Sequence, residues 1–126
     1  MIQKILIADD EPDVLNMLAE IFRHYGFEVC TALNAKEFEA VFLKEAPELI
    51  ILDIFFGNDS GPDVYDRVMK MNDVSQTPVI FLSGKMEGMI ESPIVPGRQV
   101  AMYNKPIHVA SLVQAIRTAF SSGIVA

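Results

Sequence analysis

Asp9, Asp10, Asp53, Ser83 and Lys105 are the side chains of this sequence that could act together, because each closes a short apolar run. Asp9-Asp10 follow Lys4-Ile5-Leu6-Ile7-Ala8, Asp53 ends Leu49-Ile50-Ile51-Leu52, Ser83 ends Pro78-Val79-Ile80-Phe81-Leu82, and Lys105-Pro106 follows Val100 to Asn104. Such runs read as strands buried on both faces, as in parallel sheets. In open α/β sheets ligands bind at the carboxyl ends of the strands, so parallel strands would bring these groups to one edge. Three carboxylates within about 4–6 Å of one another repel by a few kcal/mol each at an effective dielectric near 20. Something positive must therefore sit among them. Lys105 is one candidate; a hard divalent ion is another. Mg2+ (or Mn2+) takes carboxylate and carbonyl oxygens and keeps waters that a phosphoryl group can replace.

The intervening segments read as the helices such a sheet needs. Pro12 suits a first helical turn, and Val14, Leu15, Leu18, Ile21 and Phe22 make one apolar face before a stop at Gly26. Glu28 to Ala32 is a strand, and Asn34 with Glu37 resembles a capping box opening a helix from Ala35 to Glu45, with Phe38, Val41 and Phe42 on its inner side. After Asp53 comes a turn-rich stretch, Gly57-Asn58-Asp59-Ser60-Gly61, then a helix from about Pro62 to Met71 carrying Val64, Tyr65, Val68 and Met69. A last helix, about Val109 to Ser121, buries Val109, Leu112, Val113, Ile116 and Phe120. Strand and helix alternate along the chain, which predicts an α/β fold with a parallel sheet covered on both faces.

Composition narrows the function classes. The chain has 126 residues, 51% hydrophobic and 21% charged, as expected of one globular domain over 1–126, with an ordered core over about 1–121 and a tail at 122–126. A net charge of −7 repels nucleic-acid phosphates, so no direct nucleic-acid binding is expected. The single Cys30 reads as a small buried hydrophobe and suits a reducing compartment. No apolar run reaches membrane-span length, and the start of the chain lacks a signal-peptide core. The expectation is a cytoplasmic protein without membrane contact. His24 reads as a solvated residue in a last helical turn, and His108 as the cap of the final helix.

Taken together, the acidic pair Asp9-Asp10, Asp53, Gly61 eight residues on, Ser83-Gly84 and Lys105-Pro106 resemble the receiver domain of two-component response regulators, in order and in spacing. The resemblance covers essentially the whole chain; its specificity lies in the combination. It implies a flavodoxin-like, doubly wound, five-stranded parallel sheet of order 2-1-3-4-5. It also implies that Asp53 is the phosphoacceptor, attacking a phosphohistidine of a sensor histidine kinase or histidine phosphotransfer protein. Asp10 would bind Mg2+ directly, Asp9 directly or through water, and the Phe55 backbone carbonyl would supply a further ligand. Lys105 would neutralise phosphoryl oxygens and Ser83 would donate its hydroxyl once the group is attached. Such a domain is a regulatory phosphoacceptor rather than an enzyme, acts on an unknown downstream protein, and in some cases forms a homodimer.

Three departures from the family stand out. The aromatic switch position three before the lysine is Met102, with Tyr103 next to it. Between Lys85 and Arg98 the residues Gly88, Pro93, Pro96 and Gly97 predict a short or irregular fourth helix whose methionines form an adaptable patch. A proline often found four residues after the phosphoacceptor is replaced by Gly57, and Phe55 is bulky where family members tune water access. The acidic group Asp59, Asp63 and Asp66 reads as a turn and a solvated helix face. The main alternative function is a degenerate receiver that binds partners independently of phosphorylation. A haloacid-dehalogenase-like phosphatase would want an Asp where Phe55 stands, and a flavodoxin-like FMN carrier would want a phosphate loop after the first strand.

Overall fold

The computed structural model of the chain describes residues 4–72, 77–83, 100–104 and 108–121. Its elements run β1 (Lys4–Ala8), α1 (Pro12–His24), β2 (Glu28–Ala32), α2 (Ala35–Glu45), β3 (Leu49–Asp53), β4 (Phe55–Phe56), β5 (Asp59–Ser60), α3 (Gly61–Met71), β6 (Val79–Ser83), β7 (Val100–Asn104) and α4 (Val109–Ser121). Five strands form one sheet in the order β2-β1-β3-β6-β7, every neighbouring pair parallel. This is the order 2-1-3-4-5 expected of the long strands. The stretch after Asp53, expected as turns alone, instead holds a small antiparallel hairpin of β4 and β5. The expected irregular fourth helix falls on 85–98 and lies outside the described residues, as does the tail at 122–126.

Successive side chains on a strand point to opposite faces, and the sheet uses both. Ile5, Ile7, Leu49, Ile51, Ile80 and Leu82 join Leu15, Leu18 and Phe22 of α1 and Leu112, Val113 and Ile116 of α4 in one core. Leu6, Ala8, Ile50, Leu52, Val79 and Phe81 join Phe38 and Phe42 of α2 and Val64, Tyr65, Val68 and Met69 of α3 in the other. Every residue of β3 is buried, because β3 sits in the middle of the sheet with a helical layer on each side. Truncating a core leucine or isoleucine of this kind to alanine costs about 2–5 kcal/mol.

Local chemistry explains the helix ends. The Gly26 N–H donates to the Arg23 carbonyl at 2.9 Å and the Phe27 N–H to the Phe22 carbonyl at 3.2 Å, the bond pair of a Schellman motif. The accompanying apolar contact is Phe22 against Phe27, ring centroids 5.9 Å apart. At the start of α2 the Asn34 side chain accepts from the Glu37 N–H at 2.9 Å, while Glu37 accepts from the Leu33 N–H, one residue before the cap, at 2.9 Å. The helix ends at Ala46, a left-handed residue at φ 47°, whose N–H reaches the Phe42 carbonyl at 3.0 Å. Leu112 N–H bonds the His108 carbonyl at 3.0 Å, which makes His108 the residue flanking α4, as expected. Arg117 of α4 donates to the Tyr25 carbonyl and lies 5.6 Å from the Phe27 ring centroid, fastening α4 to the turn after α1.

β2 is an edge strand, so Cys30 is only partly buried rather than sealed in the core. Arg23 donates to the Val29 carbonyl of that edge at 3.3 Å. The Cys30 thiol faces the Ile5 carbonyl at 3.6 Å, and burial pushes its pKa from the ordinary 9.0 up to about 11. Burial, with Asp66 nearby, likewise lifts Tyr65 from 10.0 to about 12; its hydroxyl donates to the Thr77 carbonyl at 2.5 Å.

Two outcomes follow for stability. Left-handed backbone is costly for alanine and free for glycine, so Ala46→Gly should stabilise the fold by about 1 kcal/mol in urea unfolding; a destabilised variant would contradict the cap. Cys30 and Tyr65 hold their protons more tightly folded than unfolded, so their contribution is full below pH 9.0 and is lost as pH rises to about 11 and about 12 respectively. Urea midpoints measured across that range should fall steadily, and Cys30→Ala should flatten the first part of the fall.

Candidate functional site

Parallel register sets the site before any side chain does. Ala8 pairs with Leu52, so Asp9 and Asp53 leave adjacent strands at the same level. The Asp9 N–H continues the ladder to the Ala32 carbonyl at 3.2 Å, and the Ile54 N–H does so to the Leu82 carbonyl at 2.9 Å. Each carboxylate then turns back on its own chain. Asp9 Oδ1 accepts from the Glu11 N–H at 3.0 Å, and Asp53 Oδ1 from the Phe55 N–H at 3.0 Å. These local bonds help to orient both groups.

Asp9 is 1% exposed and Asp53 6% exposed, whereas Asp10 faces solvent. One carboxylate oxygen from each of Asp9, Asp10 and Asp53 lies within 4.8 Å of the others. At that distance an effective dielectric near 20 gives a repulsion of roughly 3 kcal/mol for each ionised pair. Two of the three are also withdrawn from water, which removes the screening that would soften it. The donors in this group are all oxygens, the set a hard divalent ion such as Mg2+ prefers over softer metals. The donor chemistry therefore fits the ion that the sequence suggested.

The connection from β3 to α3 completes the rim. Gly61 N–H donates to the Ile54 carbonyl at 2.7 Å. A Cβ built on Gly61 would strike the Asp53 carbonyl oxygen and come within 3.1 Å of its carbon and 3.2 Å of Ile54 Cα. Backbone on backbone cannot yield, so only glycine fits eight residues after Asp53. Ser60 caps α3, its hydroxyl accepting from the Asp63 N–H at 3.4 Å. Phe56 is 1% exposed, packed into the core under α2 and α3, while its neighbour Phe55 is 46% exposed beside Asp53. Strand alternation within the hairpin gives the two phenylalanines their opposite fates.

Among the residues expected at the site, Asp9, Asp10, Asp53 and Phe55 come together. Ser83 is the last residue of β6 and pairs with Asn104, one step beyond the Asp53–Leu82 pair. Met102 pairs with Phe81 and Tyr103 with Leu82. Lys105 and Pro106 lie outside the described residues. Asp59, Asp63 and Asp66 are exposed, as expected of a turn and a solvated helix face, and His24 and His108 are exposed too. The hairpin went unforeseen, although Gly57-Asn58 between two short runs is a two-residue hairpin signal.

Comparison with known proteins places this arrangement. Residues 5–117 match the family model of the response regulator receiver domain. The chain is 37% identical over 81 residues to the probable transcriptional regulator ycf27 of Pyropia yezoensis, covering 64% of this chain and 32% of that protein. It is 32% identical over 83 residues to the phosphate regulon transcriptional regulatory protein PhoB of Pseudomonas aeruginosa, covering 66% and 36%. The chain thus spans about a third of the length of these curated relatives. Among solved structures, a response regulator receiver domain protein from Clostridium thermocellum matches with TM-score 0.74 at 24% identity, covering 96% of both chains. Chemotaxis protein CheY4 of Vibrio cholerae matches with TM-score 0.76 at 19% identity, covering 94% of this chain and 98% of that one. No helix among the described residues is long and apolar enough to cross a membrane. Since the family match runs through nearly all of the sheet and its helices, this chain belongs to the response regulator receiver domain family.

Proposed function

We propose that this receiver domain accepts a phosphoryl group on Asp53 and uses it to switch its affinity for a protein partner. The observation that carries the reading is the gathering of the Asp9, Asp10 and Asp53 carboxylates within 4.8 Å at the carboxyl end of the sheet. In the transfer, an Asp53 carboxylate oxygen forms a bond to phosphorus while the bond from phosphorus to the imidazole nitrogen of a phosphohistidine breaks. The freed imidazole takes up a proton from solvent, and the product is an aspartyl phosphate. The bond from the Phe55 N–H to Oδ1 holds the carboxylate in one orientation, which removes part of the entropic cost of aligning nucleophile and phosphorus.

Asp10, Asp53, the Phe55 carbonyl and Asp9, directly or through water, would hold a Mg2+ or Mn2+ ion. When bound, that ion offsets the carboxylate charge and the charge on the phosphoryl oxygens. Lys105 would pair with a phosphoryl oxygen and Ser83 would donate to another. A new group of roughly −2 charge at the head of this sheet would bias the segment after Ser83 between two arrangements, with Met102 and Tyr103 as the reporters on β7. The donor would be a sensor histidine kinase or a histidine phosphotransfer protein in the cytoplasm. The curated relatives are transcriptional regulators, which supports an output in gene control exerted through a partner or a neighbouring domain rather than through this acidic chain.

Incubation with MgCl2 and a small phosphoryl donor such as acetyl phosphate should label the protein with a base-labile acyl phosphate. Asp53→Asn should abolish the label, and chelation of divalent ions should suppress it. A folded, unlabelled parent would leave a phosphorylation-independent interaction module as the reading. The half-exposed Phe55 follows Asp53 closely and bonds it through its N–H; its ring would shield a phosphoryl group on Asp53 from water, so Phe55→Ala should speed loss of the label by about 3- to 10-fold, or about 0.7–1.4 kcal/mol of barrier. Following label decay by mass spectrometry checks this, and an unchanged half-life would remove Phe55 from the role.

A further inference from the structure

A cleft of about 310 Å3 lies at the opposite end of the sheet from Asp53, where β1 and β2 begin. That volume is at the lower end of the range for small-molecule sites. Because β2 is the edge of the sheet, the cleft reaches both faces of the strand. Val29 packs with the core that α1 covers and Cys30 with the core that α2 covers.

The charged groups divide between those two faces. On the α2 side, Lys4 Nζ stands 3.1 Å from Glu45 and 3.7 Å from Glu28, and it also donates to the Glu45 carbonyl at 3.3 Å. These three side chains answer one another. On the α1 side stands Arg23, whose guanidinium donates to the Val29 carbonyl at 3.3 Å. Among the described residues no carboxylate forms an ion pair with it. A guanidinium carries five N–H donors in one plane, so the bond to Val29 orients the fork and leaves its other donors for a ligand. A fork already anchored loses less freedom on binding than a free one. Phe27 and Val29 line the cleft beside it, which gives apolar surface next to an unpaired cation. Two carboxylates shared by one lysine leave negative charge across the strand, and that charge opposes a dianion such as phosphate.

We propose that this cleft is a second ligand site, for a small organic monoanion with a flat apolar body, an aryl carboxylate in class. Arg23 holds the carboxylate through its planar fork, and Phe27 and Val29 hold the ring. The site shares no residue with the acidic cluster, so its occupancy does not depend on the reading of Asp53.

The test titrates benzoate, benzamide and acetate separately into isotope-labelled protein, following backbone amide shifts. Benzoate should give saturable shifts centred on Arg23 and residues 27–30. Benzamide, which lacks the charge, and acetate, which lacks the ring, should each bind at least about 10-fold more weakly. Arg23→Gln should weaken benzoate by about 10-fold or more. Arg67→Gln removes the same charge from an exposed position on α3 and should leave benzoate affinity within about 2-fold of the parent, since solvent and salt screen a distant charge. Thermal midpoints report whether each variant is folded; if Arg23→Gln is not, Arg23→Lys decides, because it keeps the charge and loses the fork. Benzamide binding as tightly as benzoate, or a folded Arg23 variant that keeps the parent's benzoate affinity, would overturn the inference. So would shifts that never saturate or that gather around Asp53. An acetylated tripeptide ending in a phenylalanine carboxylate that binds more tightly than benzoate would overturn the small-molecule assignment in favour of a chain terminus.

Discussion

A strand whose residues are all buried, as in β3, is unable to slide. A shift of one residue would turn every side chain from one core to the other and put Asp53 among the leucines and isoleucines. The two cores therefore do more than stabilise the sheet. They hold the register of β1 against β3 to a single value, and that register sets Asp9 and Asp53 side by side. The chemistry at the strand ends depends on apolar packing several residues away.

That packing works against an electrostatic cost. Two buried carboxylates and a third at the surface repel one another, and the bonds from the Glu11 and Phe55 N–H groups to Asp9 and Asp53 offset part of that cost. A cation held among these oxygens would offset that repulsion. Backbone contact tightens the site further: Gly61 lies against Asp53 with no room for a methyl group. Side chains can relax around a strained contact, whereas two main chains cannot.

Most of the architecture was legible in the residues. The apolar runs marked the β1, β2 and β3 boundaries, Asn34 with Glu37 marked the start of α2, and the acidic strand ends marked the site. What was missed needed three-dimensional context. Gly57-Asn58 carries a hairpin signal, but the flanking runs of two residues, Phe55-Phe56 and Asp59-Ser60, are too short for periodicity to register. The opposite burial of Phe55 and Phe56 depends on the phase of that hairpin, which two identical neighbours do not reveal. The adjacent acids Asp9 and Asp10 differ in the same way: the strand direction decides which one turns inward. Cys30 was expected in the core because its run is apolar, yet an edge strand has no neighbour to cover its outer side.

That outer edge has one more consequence. Arg23 reaches across from α1 and occupies the Val29 carbonyl, a group that would otherwise be a ready acceptor for a strand from another molecule. With β2 only five residues long and flanked by the charges of Arg23 and Glu28, the molecule discourages polymerisation through its own backbone. Self-association by sheet extension is disfavoured on that side, and encounters with other proteins are left to the helices and to the acidic strand ends.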